Sequence, residues 1–197
     1  MTTNWTLMRT SAPSVLPVSL SEVKSHLRLS SSDTTHDANL TLLIEAAVER
    51  LEQDLDRQVI TASFRVTRFN WGSDTAEVKL HKKAVSSVTS VEYVDVDGND
   101  VTLATDKYIF DKGRCSIFPA AGTTWPEVYA DDPNGVAIDF CAGYGSEASC
   151  VPSLFKTAIM LGVGKWFFDP AQEGSALHSQ EVAYERIVAL LARSSYP

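Results

Sequence analysis

A strand, a glycine corner and an apolar helix follow one another between Gly135 and Phe168, and this stretch constrains the fold most. Apolar residues alternate with smaller or polar ones from Val136 to Phe140, which predicts a half-buried strand. Gly143-Tyr144-Gly145 ends that pattern, because glycine accepts backbone angles that other residues avoid. Pro152 then suits the first turn of a helix, where its missing N–H costs nothing. The chain therefore passes from sheet to helix within this stretch.

The helix predicted over residues 152–168 is apolar around most of its circumference. Its apolar positions are Leu154, Phe155, Ala158, Ile159, Leu161, Val163, Trp166 and Phe167. Such a helix is buried on more than one side, either inside its own domain or against a neighbouring subunit. We expect its C-terminal end, at Trp166, Phe167 and Phe168, to form a subunit or partner interface. The alternative is that it is the core helix of a monomer.

The N-terminal part of the chain predicts an extended arm followed by two helices. Residues 1–18 contain two prolines among Thr and Ser, and within this arm Trp5 and Leu7 are apolar enough to dock against a partner. Ser19 and Glu22 form a capping box that begins a short helix over residues 19–28. Asp37 is the expected cap of a longer helix over residues 37–56, which has regular three- and four-residue apolar spacing.

The middle of the chain changes to strand patterns, and the end returns to helix. Residues 58–142 predict antiparallel strands, with the turn residues Asp97-Gly98-Asn99 closing a hairpin. Residues 169–180 are expected to be loop, and residues 181–193 a final helix with Ala183, Ile187, Leu190 and Leu191 facing inward. The expected fold is α+β, with two N-terminal and two C-terminal helices in a bundle beside a central antiparallel β block. One domain is expected over residues 19–193, followed by a tail at 194–197.

Composition excludes several classes of protein. The net charge is −8 and the sequence pI about 4.9, which argues against binding to nucleic acid through phosphate contacts. Cys115, Cys141 and Cys150 have no paired short spacing and so indicate neither a disulfide framework nor a zinc site. The first 18 residues lack signal-peptide features, and no apolar run is long enough to span a bilayer. We therefore expect a protein made in a cytoplasm.

The motifs that suggest chemistry are incomplete. Gly162-Val163-Gly164-Lys165 lacks the earlier glycine and the Ser or Thr of a phosphate-binding loop. Asp95 to Asp100 resembles part of a calcium loop, but its glycine is fourth rather than sixth. The four histidines are scattered, and no Gly-x-Ser-x-Gly elbow occurs. We expect no catalytic residue, metal or cofactor; the remaining enzymatic alternative is a small-molecule-binding or hydrolase site near Cys141, Tyr144 and Cys150.

Several stretches together resemble the head–tail connector (adaptor) proteins of tailed double-stranded DNA phages and prophages. The likeness runs from about Pro17 to Arg193 and is carried by Pro17–Arg28, Leu42–Glu52, Val88–Gly98, Trp125-Pro126, Ala142–Gly145, Val151-Pro152, Ala158-Ile159 and Trp166-Phe167. The sequence departs from the usual family pattern at Lys82-Lys83, at Asp169-Pro170 and at the start of the final helix.

The resemblance implies a non-enzymatic structural protein of the virion, made in the bacterial host and assembled at the head–tail junction. It implies a homo-oligomeric ring below the portal protein that extends the DNA channel and docks a stopper or tail-completion protein. The DNA would pass through without sequence-specific binding. A dodecamer, which would match the portal, would carry a formal charge of about −96 from twelve chains at −8 each. Another neck protein, a stopper or tail-completion protein, is the alternative within the same class.

Overall fold

The computed structural model describes residues 5–72, 77–129, 132–168 and 175–193, and these contain four α-helices and eight β-strands. The predicted α+β class, with antiparallel strands between N-terminal and C-terminal helices, is confirmed. The chain packs as two compact units. A β unit comprises Met1–Ala12 and Thr61–Gly143, and a helical unit comprises Pro13–Ile60 and Tyr144–Pro197.

The helical unit contains α1 (Leu20–His26), α2 (Asp37–Leu55), α3 (Ser153–Phe168) and α4 (Ser175–Arg193). Its core is formed mainly by apolar residues of α2 and α3, at the three- and four-residue spacing of an amphipathic helix: Leu40, Ile44, Ala47, Leu51, Leu55, Phe155, Ala158, Ile159 and Val163. A Cβ built on Gly162 would lie 3.4 Å from the Cβ of Ala47, so this glycine allows α2 and α3 to pack closely.

The two N-terminal helices begin in different ways. The capping box of α1 is present, since the Ser19 hydroxyl accepts a hydrogen bond from the Glu22 backbone N–H and the Glu22 carboxylate accepts one from the Ser19 N–H. The predicted cap of α2 is wrong by one residue. His36 occupies the cap position without a side-chain hydrogen bond, and Asp37 is the first helical residue. Asp37 instead forms an ion pair with the buried Lys24.

Helix α4 differs from its prediction in its first residue and in which side chains face the core. It begins at Ser175, six residues earlier than expected, while residues 169–174 lie outside the described part of the chain. Leu191 faces the core as predicted, but Leu190 is 60% exposed. The core-facing side of α4 instead includes Tyr184. Three- and four-residue spacing places it on the same side of the helix as Ile187, Val188 and Leu191.

The β unit contains two antiparallel sheets. The strands are β1 (Trp5–Ser11), β2 (Ala62–Arg68), β3 (Val78–Lys79), β4 (Val85–Val94), β5 (Asp100–Thr102), β6 (Tyr108–Asp111), β7 (Ser116–Pro119) and β8 (Val136–Ala142). The larger sheet has the order β1-β2-β8-β4-β5, and the smaller one has the order β3-β7-β6. Residues 5–11, which fall in the predicted N-terminal arm, are thus an edge strand paired with β2.

The larger sheet has one apolar and one polar face. On β2 and β8 every second residue is buried, so Phe64, Val66, Ile138 and Phe140 contribute to a single apolar core. Val78, Leu80 and Ile117, from the smaller sheet and its flanking segment, belong to the same core. The other face carries Ser63, Arg65, Thr67 and Asp139 at the intervening positions.

Candidate interaction surfaces

The C-terminal end of α3 carries the three aromatic residues predicted to form an interface. Phe168 is 56% exposed, whereas Trp166 and Phe167 are partly buried and pack against the helical core. The Phe167 ring meets His36 edge-on at 5.4 Å and Phe168 edge-on at 5.3 Å between ring centroids. The structure therefore brings these residues together as an aromatic surface made of Trp166, Phe167, Phe168 and His36. Only Phe168 of the three predicted residues is largely exposed.

Charged side chains connect α2, α3 and α4 beside this aromatic surface. The Glu181 carboxylate accepts hydrogen bonds from Arg50 Nη2 at 2.7 Å and from Lys165 Nζ at 2.6 Å. The hydrogen bond from Arg50, followed by that from Lys165, holds the pKa of Glu181 below its usual range. Arg50 also lies 5.8 Å from the centre of the Trp166 ring. The network fixes the position of the last aromatic turn of α3 relative to its neighbours.

A second part of the network closes on α2. The Tyr184 hydroxyl donates a hydrogen bond to Asp54 Oδ2 at 2.7 Å, and Arg50 lies 4.4 Å above the Tyr184 ring. Burial, together with the bond to Asp54, raises the pKa of Tyr184. The tyrosine therefore remains a neutral donor throughout the physiological range.

The other two predicted interface residues lie on β1, in the β unit. Trp5 is 40% exposed and stacks on the His81 ring at 3.8 Å between centroids. Leu7 is partly buried, lies opposite Val66 of β2 and packs against the β core. Trp5 and Leu7 thus belong to a different unit from the aromatic surface of α3.

The polar face of the larger sheet is organised around one arginine. Arg65 donates to Asp139 through Nε, at 2.8 Å, and through Nη2, and it pairs with Glu92 at 3.2 Å. The paired guanidinium lowers the pKa of Asp139, and this carboxylate in turn raises the pKa of Arg65. Ser90 donates to Asp139 as well, at 3.1 Å. These bonds join β2, β4 and β8 across the sheet.

The residues of the alternative hydrolase site have other roles. Cys141 lies on the polar sheet face, 3.8 Å from the Ser63 hydroxyl. Tyr144 packs against Phe155, and its hydroxyl accepts a hydrogen bond from Arg57 at 3.0 Å. Cys150 is exposed and packs tightly against Gly145. Cys141 belongs to the β unit, whereas Tyr144 and Cys150 belong to the helical unit.

The structure also describes the residues considered for metal binding and for membrane insertion. Among the described residues, no group of three His, Cys, Asp or Glu side chains is arranged to hold a metal ion. The Asp95 carboxylate accepts hydrogen bonds from the backbone N–H groups of Asp97 and Asn99, as expected of a turn. In the part of the chain that the structure describes, no helix has the length and apolar character needed to cross a membrane.

Sequence reasoning missed one further surface, in the β unit. Trp71 and Trp125 stack face to face at 4.5 Å, and a groove runs beside them along Gly72 and Pro126. Arg68, the last residue of β2, is 6% exposed and lies at one of the buried positions of its strand. The alternation of β2 could have indicated that Arg68 is buried, because it lies on the same face of the strand as Ala62, Phe64 and Val66.

Comparison with known proteins confirms the resemblance seen in the sequence. Residues 17–97 match the model of the family described as Phage gp6-like head-tail connector protein. A comparison with curated proteins finds no match. The family match covers helices α1 and α2 and strands β2 to β4.

The fold is similar to that of proteins in solved structures of gene transfer agent (GTA) particles. A chain in the neck of the empty GTA particle, computed with C6 symmetry, is 24% identical and has a TM-score of 0.73, covering 92% of this chain and 94% of that one. A chain in the virion of the native particle is 24% identical with a TM-score of 0.72, covering 91% and 93%. A chain in the native neck computed with C12 symmetry is 24% identical with a TM-score of 0.69, covering 92% and 94%.

Proposed function

We propose that this chain, whose residues 17–97 match the head–tail connector family, is the subunit of a homo-oligomeric ring in a phage neck. The ring binds the portal protein on one side and a stopper or tail-completion protein on the other. Its role is structural rather than enzymatic. The observation that carries the proposal is the agreement of the whole fold with neck proteins of GTA particles, over 92% of the chain.

The number of subunits in the proposed ring is twelve. The GTA neck structures were computed with C6 and C12 symmetry, and twelve copies satisfy both. A closed ring repeats one head-to-tail contact around its axis, so each subunit needs two different complementary surfaces.

The aromatic surface of α3 is one of these two surfaces in our proposal. Phe168 is 56% exposed, and an exposed aromatic side chain next to partly buried ones is typical of the centre of an interface. The Arg50–Glu181–Lys165 network holds this end of α3 in place before any partner binds. Such preorganisation lowers the entropy cost of association. Trp5 and Leu7 on β1 are the proposed contact of the β unit with a partner.

The excess of carboxylates suits a conduit for DNA. Twelve chains at −8 bring a formal charge of about −96 to the ring. Carboxylates that line the channel repel the phosphate backbone, so that DNA can slide without being held. A basic lining would instead release counterions and bind the DNA.

The proposal is tested by adding the purified protein to DNA-filled heads that were assembled without it. We expect the heads to gain a ring below the portal in electron micrographs and then to accept the next neck component. A stopper or tail-completion protein would bind only to heads that already carry a connector ring, so binding of that kind would contradict the proposal. Stable retention of double-stranded DNA by the free protein at physiological salt would contradict the acidic channel.

A further inference from the structure

Helix α2 carries an acidic stripe, made of Leu42, Glu45 and Glu49, on its exposed side. The two glutamates are one turn apart and exposed, and neither forms an ion pair with any residue that the structure describes. Leu42 lies on the same side of the helix and is 63% exposed. The neighbouring cation, Arg50, is bound to Glu181 instead. Because like charges one turn apart repel each other, the acidic stripe is unfavourable in the free subunit.

Helix α4 carries a basic stripe, made of Arg186, Leu190 and Arg193, on its exposed side. Both arginines are exposed, and within the described part of the chain no carboxylate pairs with either of them. Leu190 lies between them along the helix and is 60% exposed. An exposed carboxylate of the same helix, Glu185, lies about 100° around the helix from Arg186 and so on a different side. The basic stripe therefore combines two unpaired cations with an exposed apolar side chain.

The two stripes are equal in length and opposite in charge. Each covers about 10 Å along its helix, since seven positions separate its first and last residue at a rise of about 1.5 Å per residue. Each has one exposed leucine beside two like charges, so that charged and apolar contacts can form together. Both stripes are exposed within the helical unit, so they do not satisfy each other inside one subunit. A contact between two different surfaces of the same chain is head-to-tail, which is the kind that closes into a ring.

We propose that the acidic stripe of α2 packs against the basic stripe of α4 of the neighbouring copy in the ring. The inference rests on the proposed function and adds a contact to the one at the aromatic surface of α3. Each guanidinium can bind a carboxylate through two parallel hydrogen bonds, and the two leucines pack beside these pairs. A contact between two acidic stripes or between two basic stripes would bring like charges together. The charges therefore favour the head-to-tail arrangement over a symmetric dimer.

The contact is tested by charge reversal, with ring assembly on heads as the readout. One variant combines Glu45→Arg with Glu49→Arg, and the other combines Arg186→Glu with Arg193→Glu. Each should need at least about 10-fold more protein than the wild type to form the ring, because like charges then face each other. Arg28→Glu is the control, since it reverses an exposed arginine of the same unit outside both stripes, and it should assemble normally. Normal assembly of either reversed variant would overturn the inference.

Mixing the two reversed variants distinguishes a contact between copies from a contact with another protein. In a ring where the variants alternate, every contact joins either two unchanged stripes or two reversed ones. Twelve subunits allow strict alternation, because twelve is an even number. An equal mixture should therefore assemble at about the concentration that the wild type needs, although neither variant does so alone. A mixture that assembles no better than the separate variants would assign the stripes to another partner and overturn the inference.

Leu190→Ser tests the apolar part of the contact without changing the charge. It should weaken assembly, whereas Ile109→Ser, which removes a side chain that is 54% exposed on β6, should not. The Tm of each free variant should stay within about 2 °C of the wild type, because the altered side chains are exposed. If a reversed variant does not fold, Leu190→Ser decides, and its normal assembly would overturn the contact. Failure of the wild type itself to form a ring would contradict the proposed function, whereas normal rings of the reversed variants would contradict only this contact.

Discussion

Glu181 shows how a single carboxylate can join three helices. It accepts hydrogen bonds from Arg50 of α2 and Lys165 of α3, while it lies on α4 itself. Its partners are 131 and 16 positions away in the sequence, so no local sequence pattern predicts these contacts. Sequence periodicity placed Glu181 at the start of a helix, but only the packing of α4 on α2 and α3 shows what it binds.

Glu181→Gln should lower the stability of the protein by about 1 kcal/mol at neutral pH, because two charge-assisted hydrogen bonds become weaker at a partly exposed site. Urea unfolding monitored by circular dichroism would measure the loss. Glu185→Gln is the control, since Glu185 is exposed and lies one turn further along the same helix. A loss of similar size in the control would show that general charge, not the network, is responsible.

The lowered pKa of Glu181 predicts that the stability of the protein depends on pH. The pKa of Glu181 is lower in the folded protein than its usual value, so its contribution to stability is present above the unfolded pKa and is lost as the pH falls through the folded pKa. The difference in unfolding free energy between wild type and Glu181→Gln should therefore be constant near neutrality and shrink below about pH 4.5. A difference that grows on acidification would contradict the network.

At the scale of elements, α4 separates what sequence pattern can and cannot predict. Residues 181–193 have an amphipathic pattern that predicts a helix. The residues before them are mostly polar, so the pattern does not predict that the helix begins at Ser175. The sequence pattern does not show which of Leu190 and Leu191 faces the core, because the two residues are adjacent and equally apolar. The exposed position of Leu190 follows from the buried stripe through Tyr184 and Leu191, and a tyrosine at a core position is not expected from hydropathy alone.

Leu191→Ala and Leu190→Ala form a matched pair that tests this facing. Leu191 is fully buried, so its truncation should cost about 2–4 kcal/mol. Leu190 is 60% exposed, and its truncation should cost less than about 0.5 kcal/mol. Chemical denaturation of both variants would decide the matter. Equal losses would place both leucines in the core, as the sequence pattern suggested.

The glycine corner that the sequence placed after β8 has a steric reason at Gly145. Its φ is +155°, and a Cβ there would lie 2.4 Å from the Cβ of Cys150. Gly145→Ala should therefore lower stability by about 1–3 kcal/mol through overpacking. Gly98→Ala is the control, because Gly98 has a φ of +83° but open space around the added Cβ. If the two variants lose the same stability, backbone strain alone explains the glycine at 145.

At the scale of the whole molecule, local signals predicted most of the elements but not their division into two units. The capping box of α1, the periodicity of α2 and the alternation of β2 and β8 are read within a few residues. Strand order and the pairing of β1 with β2 depend on contacts between distant segments. Among the candidate interface residues, the aromatic end of α3 could be named from sequence because its apolar residues exceed one helical face.

Phe168→Ser tests the aromatic surface without disturbing the core. Phe168 is 56% exposed, so the free subunit should keep its stability within about 0.5 kcal/mol, while ring assembly on heads weakens. Ile109→Ser removes an apolar side chain that is 54% exposed on β6 and is the matched control. Trp166→Ala should weaken assembly too, but it also removes packing against the helical core and so is the less specific variant. Normal assembly of Phe168→Ser would place the subunit contact elsewhere.

The most direct test of the connector assignment is a cryo-electron microscopy reconstruction of the particle neck, computed with and without imposed symmetry. We predict twelve copies of this chain in one closed ring directly below the portal, with the aromatic end of α3 at the boundary between adjacent copies. Density for this chain elsewhere in the particle, or in the neck as an open or incomplete set of copies, would contradict the account.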